Sequence, residues 1–192
     1  MKRISVVSLL ALTAFGMTIS SAPVAAQKIA REKTTMVGGA AMYPSKNIVQ
    51  NAVNSKDHTT LVAAVKAADL VETLQGAGPF TIFAPTNMAF AKLPAETVPT
   101  LLKPENKEAL VKVLTYHVVA GRYSAKDLME LVKKGGGKAM LKTVQGGELT
   151  VMQKGKKLII TDAKGGMATV TISNVMQSNG VIHVVDSVLL PS

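Results

Sequence analysis

The chain has 192 residues, 22 Lys and Arg against 12 Asp and Glu, and no cysteine. That length holds one domain and a tail, and the missing cysteines exclude a disulfide framework, an iron–sulfur cluster and a thiolate zinc site. With 47% hydrophobic and 18% charged residues it is no disordered polyion. Aromatics at 4%, with no tryptophan, leave little for stacking on bases, so no specific nucleic-acid partner is expected.

Lys2 and Arg3 open the chain, an uncharged and largely apolar stretch runs from Ile4 to Ile19, and small residues end in Val24-Ala25-Ala26. A positive start, an apolar middle and small residues at −3 and −1 are the pattern of a cleaved secretory signal. The apolar part is shorter than the ~20 residues that span a bilayer. The expected organisation is a cleaved signal over 1–26, a flexible leader over 27–45 and one domain over 46–192. Cleavage removes two positive charges and leaves +8 on the exported chain, whose expected location is the periplasm or the extracellular space. No later stretch is long and apolar enough for a transmembrane segment, and no heptad seam argues for an oligomer, so a monomer is expected.

From Asn47 onward the first half reads as helices. Ile48, Val49, Ala52 and Val53 recur at helical spacing. Asp57 is placed to cap a second helix carrying Leu61, Val62, Val65 and Leu70, which Gly76 and Gly78 end. Phe80 to Phe83 is a short strand. Thr86 caps a short helix with Met88, Phe90 and Leu93, stopped by Pro94. Pro104 suits the first position of another helix, on which Leu110, Val113, Leu114 and His117 share a face. Ser124 and Asp127 form a capping-box pattern ahead of Leu128, Leu131 and Val132.

After Gly135-Gly136-Gly137 the apolar period drops from about 3.6 to 2. Segments 140–144, 148–153, 157–161, 168–172 and 181–189 read as strands joined by Gly-rich and Asn-Gly turns. Helices set apart from an antiparallel sheet make an α+β domain, helical in its first half and strand-rich in its second. The mostly apolar run from Val181 predicts a strand buried on both faces, with Asp186 hydrogen-bonded or paired.

Known site chemistries find little support. There is no G-x-S-x-G elbow, and His183 and Asp186, three apart on a strand, face opposite sides. The histidines His58, His117 and His183 have no H-x-H or H-E-x-x-H spacing, and no calcium loop or phosphate loop is present. No catalytic residue, metal or cofactor is expected. His117 continues an apolar helix face and should pack inward with a ring nitrogen bonded, leaving Tyr116 partly exposed. Lys154, Lys156 and Lys157 crowd a predicted hairpin tip; they serve solubility and edge protection or make contacts with an anionic polymer.

Three segments together resemble one family. Thr81 to Phe90 (TIFAPTNMAF), Leu114 to Ser124 (LTYHVVAGRYS) and Asn179 to Pro191 (NGVIHVVDSVLLP) are similar, in order and spacing, to the signatures of fasciclin-type (FAS1, beta-Ig-H3) domains of the single-domain secreted bacterial type. The resemblance implies a twisted β-sandwich or wedge with helices packed along one side. It also implies a non-enzymatic function in adhesion to protein or polysaccharide at the cell envelope or matrix. In animal relatives the Tyr-His segment is linked to integrin binding, which carries over to Tyr116, His117, Val118 and Val119. Thr81, Phe83, Pro85, Thr86, Asn87, Phe90, Gly180, His183 and Asp186 fall on the signatures in structural roles, with Phe83 and Phe90 filling the core. The alternative is an envelope structural protein, or one binding a small apolar ligand in a groove between helices and sheet lined by Leu, Val and Met.

Overall fold

The computed structural model describes residues 32–192; the signal expected over 1–26 and the start of the expected leader lie outside the described residues. The first element is a hairpin, β1 (Thr35–Val37) and β2 (Ala40–Met42), turned at Gly38-Gly39. Val37 and Met42 point into the core and are almost fully buried. Over 35–42 this corrects the flexible leader expected across 27–45, because three-residue strands are too short to show an apolar period.

Next come α1 (Ile48–Ala52), α2 (Thr59–Ala67) and α3 (Val71–Gln75). Asn47 and Gln50 form a capping box on α1. Asp57 does not cap α2: it lies in a 3-10 turn, Lys56–His58, and no side chain of this turn caps the helix. The expected single helix through Leu70 breaks at Asp69, whose φ is 55°. Then follow β3 (Phe80–Pro85), α4 (Asn87–Ala91), α5 (Thr97–Leu101) and α6 (Lys107–Tyr116). Pro104 begins a 3-10 turn just ahead of α6 rather than α6 itself. A short β4 (Val118–Ala120) and α7 (Ala125–Lys134) complete the first half, and the expected Ser124/Asp127 capping box is present on α7. The remaining strands are β5 (Lys138–Lys142), β6 (Glu148–Lys154), β7 (Lys157–Thr161), β8 (Met167–Gln177) and β9 (Gly180–Val185).

Among the described residues, seven strands form one sheet in the order β4-β3-β9-β8-β7-β6-β5. All neighbours are antiparallel except β3 and β9, which run parallel. The two edges meet: Val119 bridges Thr143, and the Val144 N–H donates to the Val118 carbonyl at 2.8 Å. The sheet is thus a nearly closed barrel, the geometry that removes exposed strand edges.

Strand alternation divides the apolar side chains between two cores. Ile82 and Ala84 of β3, with Ile182 and Val184 of β9, face outward under α1, α2, α3, α6 and the hairpin. Phe83 and Val185 face into the barrel, where Leu128, Leu149 and Ile160 are fully buried. All six residues of β9 are buried, as its apolar run predicts. Gly180 is required at its start, because a Cβ there would lie 2.2 Å from the Phe80 carbonyl oxygen.

Candidate functional site

The Tyr-His segment singled out in the sequence lies at the junction between the two cores, while Lys154, Lys156 and Lys157 are exposed at the β6–β7 hairpin. Tyr116 ends α6 with its ring wholly buried in the barrel core. Its hydroxyl donates to the Glu148 carbonyl at 2.7 Å and accepts from the Ala163 N–H at 2.9 Å. Burial pushes the phenol above its ordinary pKa. The expected partial exposure of Tyr116 is corrected, because its ring points into the barrel mouth rather than away from it. His117, Val118 and Val119 are 3%, 5% and 2% exposed. No side chain of the candidate adhesion segment therefore presents a surface to a partner in this fold.

His117 packs inward as expected, with both ring nitrogens engaged. Nε2 accepts the Leu189 N–H at 3.0 Å, so Nδ1 carries the proton and donates it to the Val113 carbonyl at 2.8 Å. Burial lowers its pKa to about 4. The imidazole is a neutral clamp joining α6 to the C-terminal segment. Beside it, Asp162 accepts the Leu190 N–H at 2.9 Å.

His183 stacks on Phe83, and its Nε2–H donates to the Tyr123 carbonyl at 2.8 Å. Thr81 donates to the Gly121 carbonyl at 2.7 Å and accepts the Tyr123 N–H at 2.9 Å, so both signature residues anchor the turn before α7. Thr86 caps α4 as predicted. Asn87 does something the sequence did not suggest. Its Oδ1 accepts the Thr60 N–H, and its Nδ2 donates to the Lys56 carbonyl and the Thr59 hydroxyl, so it caps α2 from across the fold. Pro85 is buried. Phe90 is only half-buried and belongs to neither core, which corrects the role expected for it. Asp186 is hydrogen-bonded as expected: it accepts the Thr169 N–H at 2.8 Å and the Ser187 hydroxyl at 3.1 Å.

Two polar residues were missed. Asn51, fully buried, bonds both backbone groups of Tyr43 and donates to the Gln177 side chain. Asn179 accepts the Ile48 N–H and donates to the Leu74 and Gly76 carbonyls. Both pin the helical layer to the β8–β9 end. Asn51 stands in no recognisable pattern; Asn179 opens the third signature segment and its Asn-Gly turn, which marks the turn but not the bonds to the helical layer.

Among the described residues, two recesses stand out. The first, about 60 Å³, lies between helices and sheet, lined by apolar residues that include Met42, Leu61 and Val65. His58 reaches its wall; the residue is 3% exposed, Ser55 Oγ lies 2.9 Å from Nδ1, and the Ala84 backbone interacts with the ring, though Nε2 makes no hydrogen bond of good geometry among the described residues. Burial lowers its pKa. The second recess, about 400 Å³, opens at the β7–β8 junction and includes Lys156, Lys157, Thr169 and Asp186.

A sequence model described as the fasciclin domain matches residues 56–191. The chain belongs to the fasciclin domain family. Protein sll1483 of Synechocystis sp. is 45% identical over 97% of this chain and 96% of its own length. The immunogenic protein MPB70 of Mycobacterium bovis is 38% identical over 73% of this chain and 66% of its own. The fold matches the structure of a FAS1 domain pair from the insect cell adhesion molecule Fasciclin I with a TM-score of 0.69, at 19% identity, over 77% of this chain and 52% of that one. The fasciclin fold thus accounts for the α+β wedge with helices along one side. Among the described residues no helix is long and apolar enough to cross a membrane.

Proposed function

We propose that this fasciclin domain is an exported, non-enzymatic binding module that attaches to protein or anionic polysaccharide at the cell envelope or in the matrix outside it. The observation that carries this reading is the division of polar groups between inside and outside. The three histidines and Tyr116 are buried, and Tyr116 and His117 are fully hydrogen-bonded to backbone. Lys154, Lys156 and Lys157 are exposed, with no carboxylate within 4.0 Å among the described residues. The adhesion role of the insect relative and the export pattern of residues 1–26 point the same way. Binding to isolated envelope polysaccharide and to intact cells across a salt series tests it. Retention at ~0.15 M salt, where exposed charges more than about 8 Å apart are largely screened, is the expected result. Binding that vanishes with salt would reduce the attraction to net charge.

A second reading has one observation in its favour. An apolar cavity between helices and sheet has the His58 ring in its wall, which suits a small apolar ligand. The cavity is well below the ~150 Å³ that holds benzene, so in this conformation it takes only a very small molecule. Native mass spectrometry of the purified protein would reveal a retained ligand, and Val62→Phe should expel it.

A further inference from the structure

We propose that the recess at the β7–β8 junction is a binding groove for an acidic saccharide, a sugar bearing a carboxylate. This rests on the binding-module reading and gives it a site.

The groove has a cause in the backbone. β7 pairs with β8 only over Ile159↔Thr169, Ile160↔Ala168 and Thr161↔Met167. Beyond Thr169, β8 shifts register against β9 twice, between Val170 and Ile172 and again before Val175. Such bulges bend a strand and re-aim its side chains. Asn174, at φ 59°, marks the second bend, and its Oδ1 accepts the Ala125 N–H at 2.7 Å, tying the bend to the start of α7. β8 therefore swings from β7 onto β9 and leaves a wedge of about 400 Å³ between them, within the ~300–1,000 Å³ usual for small-molecule sites.

The banks of the wedge differ in chemistry. Lys156 and Lys157 stand on the β7 side, and Thr169 and Ser173 present hydroxyls on the β8 side. Met129, half-buried at the wall, supplies apolar surface, Leu158 and Val170 border the wedge from the barrel core, and Asp186 is also at the wall. A carboxylate fits the lysines, and ring hydroxyls can both donate to Asp186 and accept from the threonine and serine. The C–H face of a sugar ring suits the apolar surface. Like charge with Asp186, which Lys92 pairs at 4.0 Å, does not separate an acidic peptide from an acidic saccharide; the peptide has no ring hydroxyls for Thr169 and Ser173, so the saccharide is favoured.

The lysines are also placed at a cost to the fold. Lys154 and Lys157 are directly opposite across the β6–β7 hairpin, where like charges destabilise the pair. They do not lie on the terminal strands β4 and β5, but Lys157 stands where β8 leaves β7 unpaired, so it also protects that gap from pairing with another chain.

The test uses tetragalacturonate as probe, with neutral maltotetraose and a tetraglutamate peptide as comparisons, read by amide chemical shifts and by titration calorimetry. Tetragalacturonate should move the amides of residues 156–158 and 169–173, and maltotetraose and tetraglutamate should bind at least tenfold more weakly. Lys156→Gln with Lys157→Gln should weaken tetragalacturonate at least tenfold. Lys133→Gln with Lys134→Gln, which removes equal charge from the end of α7, should change it less than twofold. Equal losses in both double variants, shifts centred elsewhere, or tetraglutamate binding as tightly would overturn the proposal. Failure to bind tetragalacturonate while envelope polysaccharide is still retained at ~0.15 M salt would remove the groove and leave the binding-module reading. Loss of both would remove both.

Discussion

The barrel core and the helical core lie on opposite faces of β3 and β9 and draw on the same kinds of side chain, yet they are closed differently. Inside the barrel, Leu128, Leu149, Val151 and Ile160 are wholly buried, and the polar groups at its mouth, Tyr116 and Asp162, all meet backbone partners. Under the helices a cavity of about 60 Å³ persists, and Leu61 and Val62 remain half-buried. A sheet that nearly closes on itself fixes most of its interior through strand ladders, which are interrupted here where β8 leaves β7 and at the β4–β5 seam. Short helices of five to ten residues, laid on its outer face, leave slack at their junctions. The barrel side is therefore the rigid half, and adaptability belongs to the helical side.

Truncation should separate the halves most strongly. Leu149→Ala, in the barrel, should cost about 2–5 kcal/mol, the range for enclosed leucines. Leu61→Ala, already half in water, should cost about 1 kcal/mol; urea unfolding midpoints measure both.

Acid should act next, at the clamp between the halves. Above about pH 6.5, His117 is neutral whether the chain is folded or unfolded and adds no pH dependence. Below that, the unfolded imidazole takes up a proton that the folded one, with its pKa near 4, does not. Stability is thus lost as pH falls from 6.5 toward 4, by about 3 kcal/mol in total. Burial lowers His58 and His183 as well, in the same direction. Unfolding midpoints between pH 7.5 and 4 should fall, and His117→Gln, less stable at neutral pH, should show a shallower fall. An unchanged slope in that variant would show that the clamp does not titrate.

Added volume gives the smallest contrast. Ala168→Val overpacks the barrel and should cost about 1–3 kcal/mol. Val62→Ile adds a methylene beside the cavity and should stay within about 0.5 kcal/mol of the parent. Equal costs would mean that the two cores are equally tight.

Much of this division was legible in the sequence, for local reasons. The Ser124/Asp127 box, the Thr86 cap, the change of apolar period after Gly137 and the doubly buried run of β9 are all properties of adjacent residues. What was hidden depended on distant pairing. Thr35 to Met42 became a hairpin because Val37 and Met42 find the core, not because three-residue strands announce themselves. β4 was masked because its valines continue the apolar run of α6. The parallel contact of β3 with β9 joins residues about a hundred positions apart. The site was misread for the same reason. The Tyr-His segment carries the resemblance, but the barrel mouth that buries Tyr116 is completed by Glu148 and Ala163 from other elements. The groove arises from bulges in β8 that no pattern of residue types marks.

The most direct test of the account is a double dissociation between stability and binding. Tyr116→Phe, which removes two backbone hydrogen bonds, and the paired Lys156→Gln, Lys157→Gln variant would each be measured for unfolding midpoint and for retention on envelope polysaccharide at ~0.15 M salt. The account predicts that Tyr116→Phe loses about 1–2 kcal/mol and keeps its binding. It predicts that the lysine variant keeps its stability within about 0.5 kcal/mol and loses its binding. A folded Tyr116→Phe that no longer binds, beside a lysine variant that does, would place the contact surface at the Tyr-His segment and contradict the account.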